Sequence, residues 1–168
     1  GRVVYQELAR INKAVRDESL QKNETLVKAL RYAKNEEKAL HLMGLVSDGG
    51  VHSHLNHLKA LADIAESAGL EKIYVHAFTD GRDVDPKSGR GFIQDLEETW
   101  KNRPTKIASI VGRYYAMDRD KRWERVKLAY DLLVKGKGTL SSNLTESIQE
   151  QYDEGTTDEF IKPIVAQD

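Results

Sequence analysis

Three times in this chain a short apolar run gives way to a glycine-bearing polar loop and then to apolar residues at helical spacing, and few folds accept that order. The runs are Leu40–Val46, Lys72–Phe78 and Lys106–Val111, each of strand length; the last two are rich in β-branched or aromatic residues. Behind the first come Ser47-Asp48-Gly49-Gly50-Val51-His52-Ser53-His54 and then Leu55, Leu58, Leu61, Ala62 and Ala65, a helical stripe that should stop near Gly69. Behind the second, Asp80-Gly81-Arg82-Asp83-Val84-Asp85-Pro86 leads to a helix over 92–100 with Ile93, Leu96 and Trp100 on one side, closed off by Pro104. Behind the third, the stretch from Gly112 to Arg119 leads into a long helix with Trp123, Val126, Ala129, Tyr130, Leu133 and Val134 as its stripe, ended by Gly136 and Gly138. Repeated β-loop-α units of crossover length predict an α/β fold: three layers, a mostly parallel sheet flanked by helices.

The remaining sequence fits around that frame. Leu8, Ile11 and Val15 predict a short helix over 5–15, and Asn23 is a candidate N-cap for a helix over 23–34 that buries Leu26, Val27, Leu30 and Ala33. A further helix is expected over 144–152 and a capped turn over 156–160, with no strand after the third helix until Ile164-Val165. His41 and His76 fall within strands and are expected to be buried and hydrogen-bonded.

A chain of 168 residues is one ordinary domain with enough length for its own core. Its 26 basic and 27 acidic residues leave a net charge of −1, which gives no chain-wide attraction to nucleic acid or an anionic membrane, so an anion site has to be local. No stretch reaches the ~20 apolar residues of a membrane span. The lack of cysteine excludes disulfides and thiolate chemistry and suits a cytoplasmic location. The chain opens at Gly1-Arg2-Val3-Val4 without methionine and stops at Asp168 without a tail, which suggests an excised domain.

In open α/β sheets ligands bind beyond the carboxyl ends of the strands. If the three strands are parallel, their loops share an edge and gather His52, Arg82, Asp83, Arg113 and Arg119. Three guanidiniums on one edge suit phosphate or carboxylate oxygens. His52 can exchange a proton near neutral pH, and Asp83 could orient it or an arginine. Arg82 with Asp83 could equally be a structural ion pair. His52, His54 and His57 form H-x-H-x-x-H, but no cysteine or suitably spaced carboxylate supports a metal there. Lys135-Gly136-Lys137-Gly138-Thr139 imitates part of a phosphate loop and reads better as a helix stop.

These loops resemble those of the cofactor-independent (2,3-bisphosphoglycerate-independent) phosphoglycerate mutases, specifically their inserted phosphotransferase domain. The resemblance runs nearly end to end. Gly1-Arg2-Val3-Val4-Tyr5-Gln6 is similar to the domain's opening, Leu42 to His54 to its histidine loop and Asp80 to Val84 to its arginine–aspartate loop; Gly112 to Trp123 resembles its third signature and Thr157-Asp158-Glu159-Phe160 its exit. The resemblance implies interconversion of 3-phosphoglycerate and 2-phosphoglycerate in glycolysis and gluconeogenesis. It implies that His52, Arg82, Arg113 and Arg119 bind the phosphoglycerate while Asp83 assists proton transfer at its hydroxyls. It also implies that the phosphoryl-accepting serine and two divalent metals, manganese or magnesium, belong to a separate alkaline-phosphatase-like domain, the expected partner, and that this chain holds no cofactor. Residues 1–168 would then be a single substrate-binding domain of a two-domain enzyme, inactive alone, and Ser47 is not the nucleophile. The competing reading is a standalone, non-catalytic module for phosphorylated carboxylates; a metal-dependent hydrolase built on His52, His54 and His57 comes third.

Overall fold

The computed structural model describes residues 6–167. The motif Gly1–Tyr5 and the last residue lie outside the described residues. In chain order the elements are α1 (Glu7–Arg16), a 3-10 turn (Leu20–Lys22), α2 (Glu24–Asn35), β1 (Leu40–Val46), α3 (Leu55–Ser67), β2 (Ile73–Thr79), α4 (Gly89–Thr99) and β3 (Thr105–Gly112). They continue as α5 (Arg113–Ala116), α6 (Trp123–Lys135), β4 (Thr139–Ser141), α7 (Leu144–Asp153), a second 3-10 turn (Asp158–Phe160) and β5 (Ile164–Ala166).

The five strands form one sheet in the order β1-β2-β3-β5-β4. β1, β2 and β3 are mutually parallel, while β5 runs antiparallel to β3 and parallel to β4. The sheet is therefore mostly parallel, and the loops after β1, β2 and β3 do open on one edge. Val75 and Ala77 point into a core shared with Leu55 and Ala62 of α3, Ile93 and Leu96 of α4, and Ile148 of α7, while Ile73 packs in a second cluster with Leu30 and Ala33 of α2 and Ala65 of α3. Each of these larger side chains contributes roughly 1.5–3 kcal/mol by leaving water.

The differences from expectation have local causes. The short helix α5 takes up residues expected as loop, and β4 is only three residues long with no apolar run to announce it. Helix α4 begins at Gly89 rather than 92 because its cap is supplied from far away: Gly89 N–H donates to Asp158 Oδ2 at 2.7 Å. Along α6 the buried positions are Ala129, Asp131 and Leu132, whereas Trp123 is 70% exposed and Tyr130 and Val134 also face outward. His41 is exposed, since no helix among the described residues covers its side of β1, where Met43 is likewise 61% exposed. It still bonds, its Nδ1 lying 2.9 Å from His76 Nε2, and the half-buried His76 bonds Ser109 Oγ at 2.8 Å through Nδ1. Asn23 caps α2 as expected, accepting from Leu26 N–H at 3.0 Å.

Candidate active site at the strand ends

Each of the three loops is tied down by its own short-range bonds. After β1, Ser47 Oγ accepts from Gly49 N–H at 3.1 Å and Ser53 Oγ donates to Leu45 C=O at 2.5 Å, which turns the chain back before α3. His54 caps that helix, its Nδ1 accepting from Asn56 N–H at 3.1 Å, and His57 Nε2 bonds Asn12 Oδ1 at 2.6 Å. Two of the three histidines of H-x-H-x-x-H are thus engaged in capping and helix docking. After β2, Asp80 Oδ1 accepts from Arg82 N–H at 3.2 Å and Asp83 N–H at 3.1 Å, the Asx arrangement that presents both side chains at the sheet edge. After β3, α5 begins at once with Arg113.

The chain's fourth contribution comes from the 3-10 turn at 158–160, which lies against the ends of β2 and β3. Gly112 N–H donates to Ile161 C=O at 2.8 Å, and a Cβ at Gly112 would sit 2.3 Å from Glu159 O. Gly81 meets the same turn from the other side, where a Cβ would come within 2.7 Å of Glu159 N. Both glycines are needed for this close approach.

Between these loops is a cleft of about 240 Å³, smaller than the ~300–1,000 Å³ typical of drug-sized ligands. All five residues singled out from the sequence, His52, Arg82, Asp83, Arg113 and Arg119, line it. The strongest contact is made by Arg113, whose Nη1 donates to Asp80 Oδ1 at 2.6 Å and Asp83 Oδ2 at 2.8 Å with only 11% of the side chain exposed. His52 Nε2 is 3.9 Å from the same Asp83 oxygen. Arg82 turns the other way, toward Glu159 Oε1 at 3.4 Å. Arg119 has no hydrogen bond or ion pair among the described residues.

Sequence reasoning missed four members of this surround. Glu159 and Arg125 also line the cleft, Arg125 lying 3.3 Å from Asp118, 3.6 Å from Asp120 and 3.9 Å from the centre of the Tyr114 ring. Asp80 and Asp118 hold the arginines in place. Asp80 was visible as the first residue after a strand, and Glu159 stood within the 157–160 motif; nothing local marked Arg125. Burial pushes the Asp80 carboxyl up, but the Asp83 N–H, the Ser47 hydroxyl, Arg113 and the Arg82 N–H together hold it below its ordinary value. The Ser47 hydroxyl favours the charged form without completing a bond to Oδ2, which has no partner. Arginines arranged by carboxylates in a small open cleft can hold a compact, multiply charged anion, with one carboxylate and one imidazole beside it for proton handling.

Residues 11–168 match the family described as BPG-independent PGAM N-terminus (iPGM_N). The chain is 61% identical over its whole length to the 2,3-bisphosphoglycerate-independent phosphoglycerate mutase of Flavobacterium johnsoniae, of which it covers 33%, and 60% identical over 98% of its length to that of Parabacteroides distasonis, of which it covers 32%. A crystal structure of Leishmania mexicana phosphoglycerate mutase at low cobalt concentration superposes with a TM-score of 0.89 at 32% identity, covering 99% of this chain and 32% of that one. The chain spans about a third of the length of these relatives. With the fold, nearly the whole sequence and a solved structure agreeing, this chain belongs to the BPG-independent phosphoglycerate mutase N-terminal family.

Proposed function

We propose that this chain is the substrate-holding domain of a phosphoglycerate mutase that interconverts 3-phosphoglycerate and 2-phosphoglycerate. The observation that carries the reading is the cleft itself, where Arg82, Arg113 and Arg119 from two loops face one small volume beside His52 and Asp83. Arg119 and Arg82 grip the anionic groups, and His52 donates to a ligand oxygen. Arg113 fixes Asp83 through Oδ2, leaving Oδ1 without a hydrogen bond among the described residues and able to take or return the proton of a glycerate hydroxyl. The described residues contain no group of three or more metal-ligating side chains. The divalent metals, manganese or magnesium, and the phosphoryl-accepting serine would belong to the rest of a longer polypeptide, in an alkaline-phosphatase-like domain that acts as this domain's partner, a reading supported by the chain spanning about a third of its relatives' length. No helix among the described residues is long and apolar enough to cross a membrane.

Calorimetric titration of 3-phosphoglycerate into this chain and into Arg119→Ala tests the reading. Arg119 supports no other side chain, so its removal should cost only the ligand contact, about 1.5–3 kcal/mol or roughly ten- to hundredfold in affinity. Equal affinity in the two proteins, or no saturable binding to either, would overturn it.

A further inference from the structure

The arginines of the cleft differ in what already occupies them. Arg113 is saturated by Asp80 and Asp83, and Arg125 by Asp118, Asp120 and the Tyr114 ring. Arg119 is free among the described residues. Arg82 is intermediate: one carboxylate, Glu159, at 3.4 Å, with half of the arginine side chain exposed and Glu159 only 19% exposed. A ligand anion arriving at Arg82 therefore meets a resident one.

That resident carboxylate cannot withdraw by moving its backbone. Asp158, on one side of it, is wholly buried; its C=O accepts from Thr79 Oγ1 at 2.6 Å, and its carboxylate from Gly89 N–H at 2.7 Å and from the Tyr152 hydroxyl. Phe160, on the other side, packs on Tyr114 with ring centres 5.0 Å apart. Gly81 and Gly112 close on the Glu159 main chain from two strands. Arg82 sits on an open loop with a long flexible side chain, so the arginine can turn while the carboxylate stays.

We infer that Glu159 is a specificity-determining residue, a fixed internal anion that competes with the ligand for Arg82 and so raises the threshold for occupancy. An anion with a single charged group can settle on the free Arg119 and leave Glu159 on Arg82. A ligand with two anionic groups, a phosphate and a carboxylate, is anchored at Arg119 by one group while the other takes Arg82. Glu159 would then reserve Arg82 for two-headed anions, with inorganic phosphate confined to Arg119. This inference rests on the anion-binding reading of the cleft and adds the discrimination to it.

The test is titration of inorganic phosphate and of 3-phosphoglycerate into the wild-type chain, Glu159→Gln, Arg82→Ala and the double variant. The expected result for Glu159→Gln is 3-phosphoglycerate binding up to about fivefold tighter, a smaller gain for phosphate, which has Arg119 open to it in either protein, and loss of most of the gain when Arg82 is also removed. Should Glu159→Gln fold poorly, Glu159→Asp keeps the charge but draws it back by one methylene, and it should show the same direction at reduced size. Unchanged or weaker 3-phosphoglycerate binding by either folded variant would overturn the competition, the weaker result showing that Glu159 orients Arg82 for its ligand. A gain that persists without Arg82 would overturn it too. If no protein in the set binds 3-phosphoglycerate, it is the substrate reading that fails, whereas measurable binding with equal affinities in wild type and Glu159→Gln sinks this inference alone.

Discussion

Asp80 and Asp158 lie close together at the ends of the strands, one 1% and the other 0% exposed, yet their carboxyls are driven in opposite directions. Burial pushes both up. For Asp80 that push is outweighed by two main-chain N–H groups, the Ser47 hydroxyl and the Arg113 guanidinium, and the carboxyl ends below its ordinary value. For Asp158 the Tyr152 hydroxyl and the Gly89 N–H pull the same way without overcoming burial, the negative charges of Asp85 and Asp80 add to the rise, and the carboxyl ends above it. Asp80 has more donors, and one of them, the Arg113 guanidinium, carries an opposite charge, whereas Asp158 has only two neutral donors and two like charges nearby. The difference also separates roles: Asp80 holds an arginine at the cleft, and Asp158 holds the scaffold behind it.

Arg113 carries the largest expected effect. Replacing it with methionine leaves Asp80 buried with no counter-ion, and losing one partner of a buried pair costs about 3–5 kcal/mol. Urea denaturation should show that loss, and Arg113→Met with Asp80→Asn should recover much of it. A loss below about 1 kcal/mol, the range of exposed pairs, would mean that water reaches Asp80 and that its charge needs no arginine.

Asp158→Ala comes next. It strands the Gly89 N–H and the Tyr152 hydroxyl and removes the cap of α4, for an expected loss of about 2–4 kcal/mol. Asp158→Asn keeps the shape and an acceptor and should lose much less. Equal losses in the two variants would show that an amide cannot take the place of the carboxyl between Gly89 and Tyr152.

The pH dependence then separates the two aspartates by sign. The contribution of Asp80, whose value is lowered in the fold, is present above the ordinary 3.8 and is lost as pH falls through the folded value. That of Asp158, whose value is raised, is complete below 3.8 and is lost as pH rises through the folded value. Asp80→Asn should therefore flatten the acid limb of a stability profile. Asp158→Asn should compare better with wild type at pH 7 than at pH 3. Parallel profiles for the two variants would remove the distinction.

Much of this organisation was legible because it is local. The β-loop-α repeats gave the parallel strands, and parallel strands by themselves put His52, Arg82, Asp83, Arg113 and Arg119 at one edge. The parts that stayed hidden depend on contacts between distant residues. The start of α4 is decided by a carboxylate 69 residues away, and Glu159 reaches Arg82 across 77. The outward turn of Trp123 and the exposure of His41 follow from which faces the neighbouring elements leave uncovered, which a periodic apolar pattern does not reveal. β4 is held by pairing with β5 rather than by its own three residues.

The half-buried His76 gives the smallest expected effect. Like Asp158 it has neutral partners on both sides, His41 and Ser109, and no opposite charge. Burial lowers its value below 6.5, and the neighbouring His41 lowers it further. A lowered histidine favours the neutral ring, so its contribution to stability is present above 6.5 and is lost as pH falls through the folded value. His41→Phe keeps an aromatic ring against His76 while removing the like charge, but does nothing to relieve burial. The His76 ring proton followed by NMR should then titrate somewhat higher than in the wild type and still below 6.5. A full return to the ordinary value would assign the shift to charge rather than to burial, and no movement would leave burial as its sole cause.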